Sequence, residues 1–116
     1  MRQVRIGERL VGDGQPCYVI AEAGSNHNRD WSIALRLIEV AAQAGADAVK
    51  WQTYSAETMY SKKAPRFAHL KEDTWELIKR IEMPREWHGD LARACADHGL
   101  HFLSTPFDLA AVEQLN

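Results

Sequence analysis

The chain has little cysteine, no long apolar run and no surplus of positive charge, and each shortage removes a class of function. Cys17 and Cys95 stand far apart without a CxxC partner, which argues against a disulfide framework and for a reduced, cytoplasmic protein. Fourteen Lys and Arg against sixteen Asp and Glu leave a formal net charge of −2. Binding of nucleic acid through bulk positive charge is therefore not expected. No apolar run approaches the ~20 residues of a membrane span, and the opening Met-Arg-Gln-Val-Arg-Ile-Gly lacks the apolar core of a signal peptide. What is present is ordinary for a globular chain: 116 residues, 46% hydrophobic and 26% charged, enough for one small domain.

Punctuation along the chain divides it into short units. Residues 3–14 read as two short strands around Ile6-Gly7-Glu8, an N-terminal β-hairpin occupying residues 1–14. Tyr18 to Ala21 is a short apolar strand between Pro16 and the polar run Gly24-Ser25-Asn26-His27-Asn28. A helix is expected from Asp30 to Ala44, with Gly45 as its stop. Its polar residues Ser32, Arg36, Glu39 and Gln43 form one narrow stripe, which predicts burial of most of the remaining circumference. Ala48 to Gln52 is the next strand, and the spacing of strand, helix and strand makes a βαβ unit with parallel strands. From Thr53 to Glu72 no period is visible, and a loop of that length is usually functional or disordered.

Asp73 and Glu76 have capping-box spacing for a short helix through Ile81. After Pro84, the residues Trp87, Leu91, Ala94, Cys95 and His98 recur at helical spacing up to Gly99. His101 to Ser104 is a third strand, and Thr105-Pro106-Phe107-Asp108 reads as an N-cap, a first-turn proline and an acidic third position. Units of this kind build either an open doubly wound sheet or a (β/α)8 barrel. The G-x-G-x-x-G dinucleotide fingerprint is absent after the first strand.

The strand ends favour the barrel. A period of two puts Ala48, Lys50 and Gln52 on one face and Val49 and Trp51 on the other, the natural surface for helices. A lysine on the inner face needs a partner, because desolvating an unpaired charge costs several kcal/mol, and Glu22 ends the neighbouring strand. Ser104 and Thr105 close the third strand at the same level. Three strands thus end in polar side chains at one rim, where barrel enzymes hold their active sites.

Each of these residues also has a plain structural reading. Lys50 and Glu22 could be an ion pair only, since perturbed sites are a statistical pointer. Thr105 and Asp108 could cap the last helix, because a cap and an anion site share geometry. Asn26, His27 and Asn28 could be turn formers. His69, His88, His98 and His101 read as structural or surface residues, with no spacing that makes a metal pair. Lys62, Lys63 and Arg66 read as a solvated basic loop, with phosphate steering as the alternative. The four tryptophans read as core or lid packing rather than a stacking platform.

Three segments together carry a resemblance. They are Ile20-Ala21-Glu22-Ala23-Gly24-Ser25-Asn26-His27-Asn28, Ala44-Gly45-Ala46-Asp47-Ala48-Val49-Lys50-Trp51-Gln52-Thr53 and Phe102-Leu103-Ser104-Thr105-Pro106-Phe107-Asp108. In this order they resemble the sialic acid synthase family, which includes N-acetylneuraminate, legionaminate and pseudaminate synthases and spore-coat polysaccharide enzymes. Arg29 stands where that family usually has Gly, and Trp51 where it usually has Phe.

The resemblance implies an N-terminal β-hairpin followed by the first three βα units of a TIM barrel, with residues 15–116 as the opening portion of the synthase domain. It implies condensation of phosphoenolpyruvate with an N-acylated mannosamine-type sugar to a nine-carbon 2-keto acid and phosphate. Lys50 would grip the phosphoenolpyruvate carboxylate or phosphate, with Ser104 and Thr105 as further contacts. Glu22 would meet the sugar and serve in proton transfer, Gln52 would position, and Asn26 joins the binding set. A divalent metal, typically manganese, would be held by residues outside this chain, as would a C-terminal antifreeze-like domain, and a homodimer is implied. Two other readings stay open: a Schiff-base aldolase with Lys50 as nucleophile, and a non-catalytic fragment or degenerate half-barrel.

Overall fold

The computed structural model describes residues 2–116. Its first two strands, β1 (Gln3–Ile6) and β2 (Arg9–Gly12), pair antiparallel as a hairpin. Three further strands, β3 (Ile20–Gly24), β4 (Ala48–Thr53) and β5 (His101–Pro106), form a parallel sheet with β4 in the middle. Between β3 and β4 runs α1 (Trp31–Gln43). The β4–β5 crossover carries α2 (Ala56–Met59), α3 (Thr74–Ile81), a 3-10 turn at Arg85–Trp87 and α4 (His88–Asp97). A last helix, α5 (Leu109–Leu115), follows β5.

Local chemistry explains the boundaries. Asp30 caps α1 by accepting from the Ser32 and Ile33 amides, and Asp73 caps α3 from the Trp75 and Glu76 amides. The helices that lead into β4 and β5 both end on a Schellman turn. The Gly45 and Ala46 amides return to Ala42 and Ala41, and those of Gly99 and Leu100 return to Ala96 and Cys95. Gly45 and Gly99 take φ of +78° and +71° there, a region that penalises a Cβ.

The core lies on one face of the sheet. Ala34, Ile38 and Ala41 of α1 and Leu91 and Cys95 of α4 pack on Val49 and Trp51 of β4, all buried. The opposite face carries Glu22, Lys50, Gln52, Leu103 and Thr105 and has no second layer over its upper half among the described residues. At its lower end the hairpin closes in: Arg9 pairs with Asp47, and Tyr18 Oη lies 2.5 Å from His101 Nδ1.

Four expectations need correction. The first parallel strand starts at Ile20, not Tyr18, because the Val19 amide donates to the Asp47 carboxylate and its carbonyl accepts from the Asp47 and Ala48 amides before the ladder begins. The aperiodic stretch after Thr53 contains α2, capped by Ser55 and held by Glu82, whose Oε2 accepts the Ala56 amide at 2.8 Å. Helix α1 is buried on a single face, with Ile33 and Val40 exposed. Thr105 and Pro106 do not open a helix: they stay in β5 opposite Gln52 and Thr53, and Asp108 is the N-cap of α5. Ladder pairing with a formed neighbour outweighs the local capping preference at Thr105.

Candidate functional site

The C-terminal rim of the parallel sheet brings Glu22 and Lys50 together. They are opposite each other in the β3–β4 register, and Lys50 Nζ lies 2.9 Å from Glu22 Oε2. Their side chains are 38% and 46% exposed, and an ion pair this wet contributes at most ~1 kcal/mol. Stability is a weak reason for a lysine at this position. One strand step further along, Gln52 shares the face with Lys50, and Thr105 lies opposite Gln52 on β5. The rim therefore presents an ammonium, a carboxamide, a hydroxyl and one carboxylate, a set suited to a small oxygen-rich anion beside a hydroxylated partner.

Ser25 and Tyr54 complete the cluster. Ser25 Oγ lies 3.3 Å from Gln52 Oε1 and 2.6 Å from Tyr54 Oη. Burial pushes the Tyr54 phenol up from its ordinary pKa, partly offset by the Ser25 hydrogen bond. The sequence motifs alone single out neither Ser25 nor Tyr54. The period of two places Tyr54 on the same side of the chain as Gln52, and that signal was available.

Ser104 is not brought to this face. It pairs with Trp51 in the register, so its side chain turns toward the helices, where its Oγ lies 2.6 Å from Thr53 Oγ1. Thr53 Oγ1 also meets His88 Nε2 at 2.9 Å. Adjacent strand residues cannot share a face, so Thr105 joins Lys50 and Ser104 joins a buried polar knot behind it. His88 is accordingly a structural residue, with burial and then Arg85 lowering its pKa.

The loop after β3 is a scaffold for the rim. Asn26 is exposed, its amide closing a turn on the Ala23 carbonyl at 3.0 Å, and no side-chain hydrogen bond joins it to Glu22 or Lys50 among the described residues. His27 is fully buried between Trp51 and Trp87, at ring separations of 6.0 and 5.6 Å. Its Nδ1 accepts the Arg29 amide at 2.8 Å, which fixes the left-handed residues Asn28 (φ 51°) and Arg29 (φ 57°). Burial first, and the Arg29 charge second, lower the His27 pKa.

Beyond the rim, Asp108 serves α5 and also holds Arg85 at 2.5 Å and the Thr58 hydroxyl at 3.0 Å, and these partners keep its carboxyl below the ordinary carboxylate range. Lys62, Lys63 and Arg66 are exposed, and Lys62 Nζ sits 4.3 Å above the Trp75 ring. Among the described residues no three His, Cys, Asp or Glu side chains converge as a metal-binding group.

Known proteins resemble this chain in sequence and fold. The sequence model of the NeuB family matches residues 37–116. The chain is 36% identical over 115 residues to N,N'-diacetyllegionaminic acid synthase of Legionella pneumophila, covering 94% of this chain and 32% of that protein. It is 37% identical over 118 residues to the spore coat polysaccharide biosynthesis protein SpsE of Bacillus subtilis, covering 99% of this chain and 32% of that one. Among solved structures, the N-acetylneuraminic acid synthetase of Leptospira borgpetersenii, crystallised with citrate, superposes with a TM-score of 0.82 at 32% identity, over 98% of this chain and 37% of its own. The chain thus spans about a third of the length of the curated relatives it matches.

Proposed function

The chain belongs to the NeuB family, and from that membership we propose that it forms the N-terminal segment of a sialic-acid-type synthase. The reaction is condensation of phosphoenolpyruvate with an N-acylated mannosamine-type sugar, giving a nine-carbon 2-keto sugar acid and phosphate. The observation that carries this reading is the Lys50–Glu22 pair at 2.9 Å on the rim of the parallel sheet. It lies inside a fold that superposes on a sialic acid synthetase with a TM-score of 0.82.

The residues divide the work by charge. Lys50, Gln52 and Thr105 supply hydrogen-bond donors to the carboxylate or phosphate of phosphoenolpyruvate. An anion drawn to Lys50 competes with Glu22 for the ammonium. The freed carboxylate can then accept a hydrogen bond or a proton from the sugar. Lys50 and Glu22 are the catalytic residues of this scheme, and Gln52 and Thr105 are substrate-binding. Ser104 acts only through the backbone it anchors, and Asn26 contributes from the exposed turn. Membership of the NeuB family favours the condensation over a Schiff-base aldolase.

The sheet is read as the first three strands of a (β/α)8 barrel, with the Lys50 face turned to the barrel interior. The same reading gives a homodimer in the cytoplasm and a divalent ion, manganese, held by residues beyond this segment. When bound, that ion would polarise the sugar carbonyl as a Lewis acid.

The test is a chimera in which this segment replaces the matching third of a synthase relative, assayed for phosphate release from phosphoenolpyruvate with a panel of N-acylated sugars. Activity in the chimera and its loss by roughly 10²–10³-fold in Lys50→Ala are expected, as for removal of a group that stabilises transition-state charge. Turnover in the folded Lys50→Ala chimera equal to that of the parent removes Lys50 from the mechanism.

A further inference from the structure

Gln52 is a rim side chain whose chemistry depends on which way it is turned. Its carboxamide offers an acceptor on one arm and two donors on the other. Two hydroxyls decide between them. Tyr54 follows β4, is 3% exposed, and stands edge-on to Phe107 with ring centres 5.7 Å apart. Its Oη meets Ser25 Oγ at 2.6 Å, and Ser25 Oγ meets Gln52 Oε1 at 3.3 Å.

Proton counting gives the direction. Ser25 has one hydroxyl proton and two neighbours. A phenol is a stronger donor and a weaker acceptor than an alcohol, and a buried phenol is held in its protonated form. The Tyr54 O–H therefore donates to Ser25, and the Ser25 O–H is left to donate to Gln52 Oε1. That occupies the acceptor arm of the amide and frees the donor arm. Gln52 Nε2 and Glu22 Oε1 both flank Gly24, at 3.8 and 3.4 Å from the point a Cβ there would occupy. The free N–H groups thus lie on the Lys50–Glu22 side of the rim.

We propose that Tyr54 and Ser25 are positioning residues, forming a Tyr54→Ser25→Gln52 relay that holds the carboxamide with its NH2 toward the ligand. The relay makes the rim beside Lys50 donor-rich and selects a ligand group that carries anionic oxygen there. A flipped amide would set a carbonyl oxygen against that anion instead. The ligand identity rests on the phosphoenolpyruvate reading above; the relay itself rests on the hydroxyl geometry.

The experiment uses the chimera described above as the parent, with two readouts. The first is the Gln52 side-chain NH2 pair in a proton–nitrogen correlation spectrum, assigned by its disappearance in Gln52→Leu. The second is titration with phosphoenolpyruvate. Ser25→Ala and Tyr54→Phe are expected to move the Gln52 NH2 resonances while backbone amide dispersion is kept. They should also weaken binding about fivefold to tenfold, as for loss of one ordering hydrogen bond. Ser25→Thr, which keeps the hydroxyl, is expected to restore both.

Unmoved Gln52 resonances in folded Ser25→Ala and Tyr54→Phe overturn the relay, whatever the titration gives. If Lys50→Ala binds phosphoenolpyruvate as the parent does, or the parent binds none, the ligand reading fails and the NH2 resonances alone decide the relay. If Lys50→Ala loses binding while Ser25→Ala and Tyr54→Phe keep the parent affinity, the ligand reading stands and the relay has no role in it. Should Tyr54→Phe fail to fold, Ser25→Ala breaks the same chain of hydrogen bonds without touching the Tyr54–Phe107 packing.

Discussion

Arg29 adopts φ +57° directly after Asn28 at φ +51°, and a non-glycine residue in the left-handed region costs about 1–2 kcal/mol. What the side chain gains in return is an exposed contact to the Lys79 carbonyl at 3.2 Å and a long approach to Glu82 at 3.9 Å. Surface contacts of this kind contribute at most ~1 kcal/mol. Arg29→Gly is therefore expected to be more stable than Arg29→Ala by about 1 kcal/mol, the relieved backbone strain less the extra freedom of glycine in the unfolded chain. Urea denaturation of the two variants checks this, and equal midpoints would mean the turn is not strained. The unusual residue at this position was legible from the sequence, but its backbone angle was not. At the rim, the period of two correctly placed Lys50 and Gln52 on one face. The same rule, applied to β5, separates Ser104 from Thr105, so the error there was in treating strand ends as a level rather than as two faces.

Among the elements, the clearest lesson is where α5 begins. Both Thr105 and Asp108 are acceptable N-caps, and proline after Thr105 favours the earlier start. The β4–β5 ladder takes Thr105 and Pro106 instead, and Asp108 caps the helix by accepting the Ala111 amide at 2.7 Å. Asp108→Ala is expected to destabilise by about 1–2 kcal/mol through the lost cap, with the loss of Arg85 and Thr58 partners included. Asp108→Asn, which keeps the cap and drops the charge, should fall between the two. A chemical denaturation series reads the order, and parity of Asn with Ala would assign the effect to the Arg85 pair. Helices α1 and α4 were readable because their stops are local: one glycine each, in a turn that only glycine enters cheaply. Helix α2 was not, since its hold on the fold is the Glu82 carboxylate reaching back from the end of α3, a contact without a sequence period.

The molecule as a whole is extended, with a radius of gyration of 16.2 Å and extents of 49 × 31 × 28 Å. A compact domain of this length has roughly 13 Å, so the layers here are not closed. Among the described residues the outer edges of β3 and β5 carry no further strand, and the apolar side chains Ile33 and Val40 of α1 and Leu109 and Val112 of α5 are exposed. No described helix is long and apolar enough to cross a membrane.

Stability of the whole chain should depend on pH through His27 and His88. Both are buried neutral, with pKa values lowered from 6.5 first by burial. The unfolded chain therefore takes up their protons first. Their contribution is complete above about pH 6.5 and is lost as pH falls from there through the folded values. Urea midpoints measured between pH 7.5 and 5 are expected to drop, and a flat profile would mean that neither histidine is buried in solution.

The family resemblance, the parallel βα units and the Lys50–Glu22–Gln52 face were decided by sequence, because motifs, helix caps, glycine stops and the alternation of side chains are properties of neighbouring residues. Which hydroxyl shares the rim face with Lys50, which serine turns inward and which carboxylate holds a distant helix were decided only by tertiary structure. Those contacts join residues far apart in the chain, and no local preference encodes them.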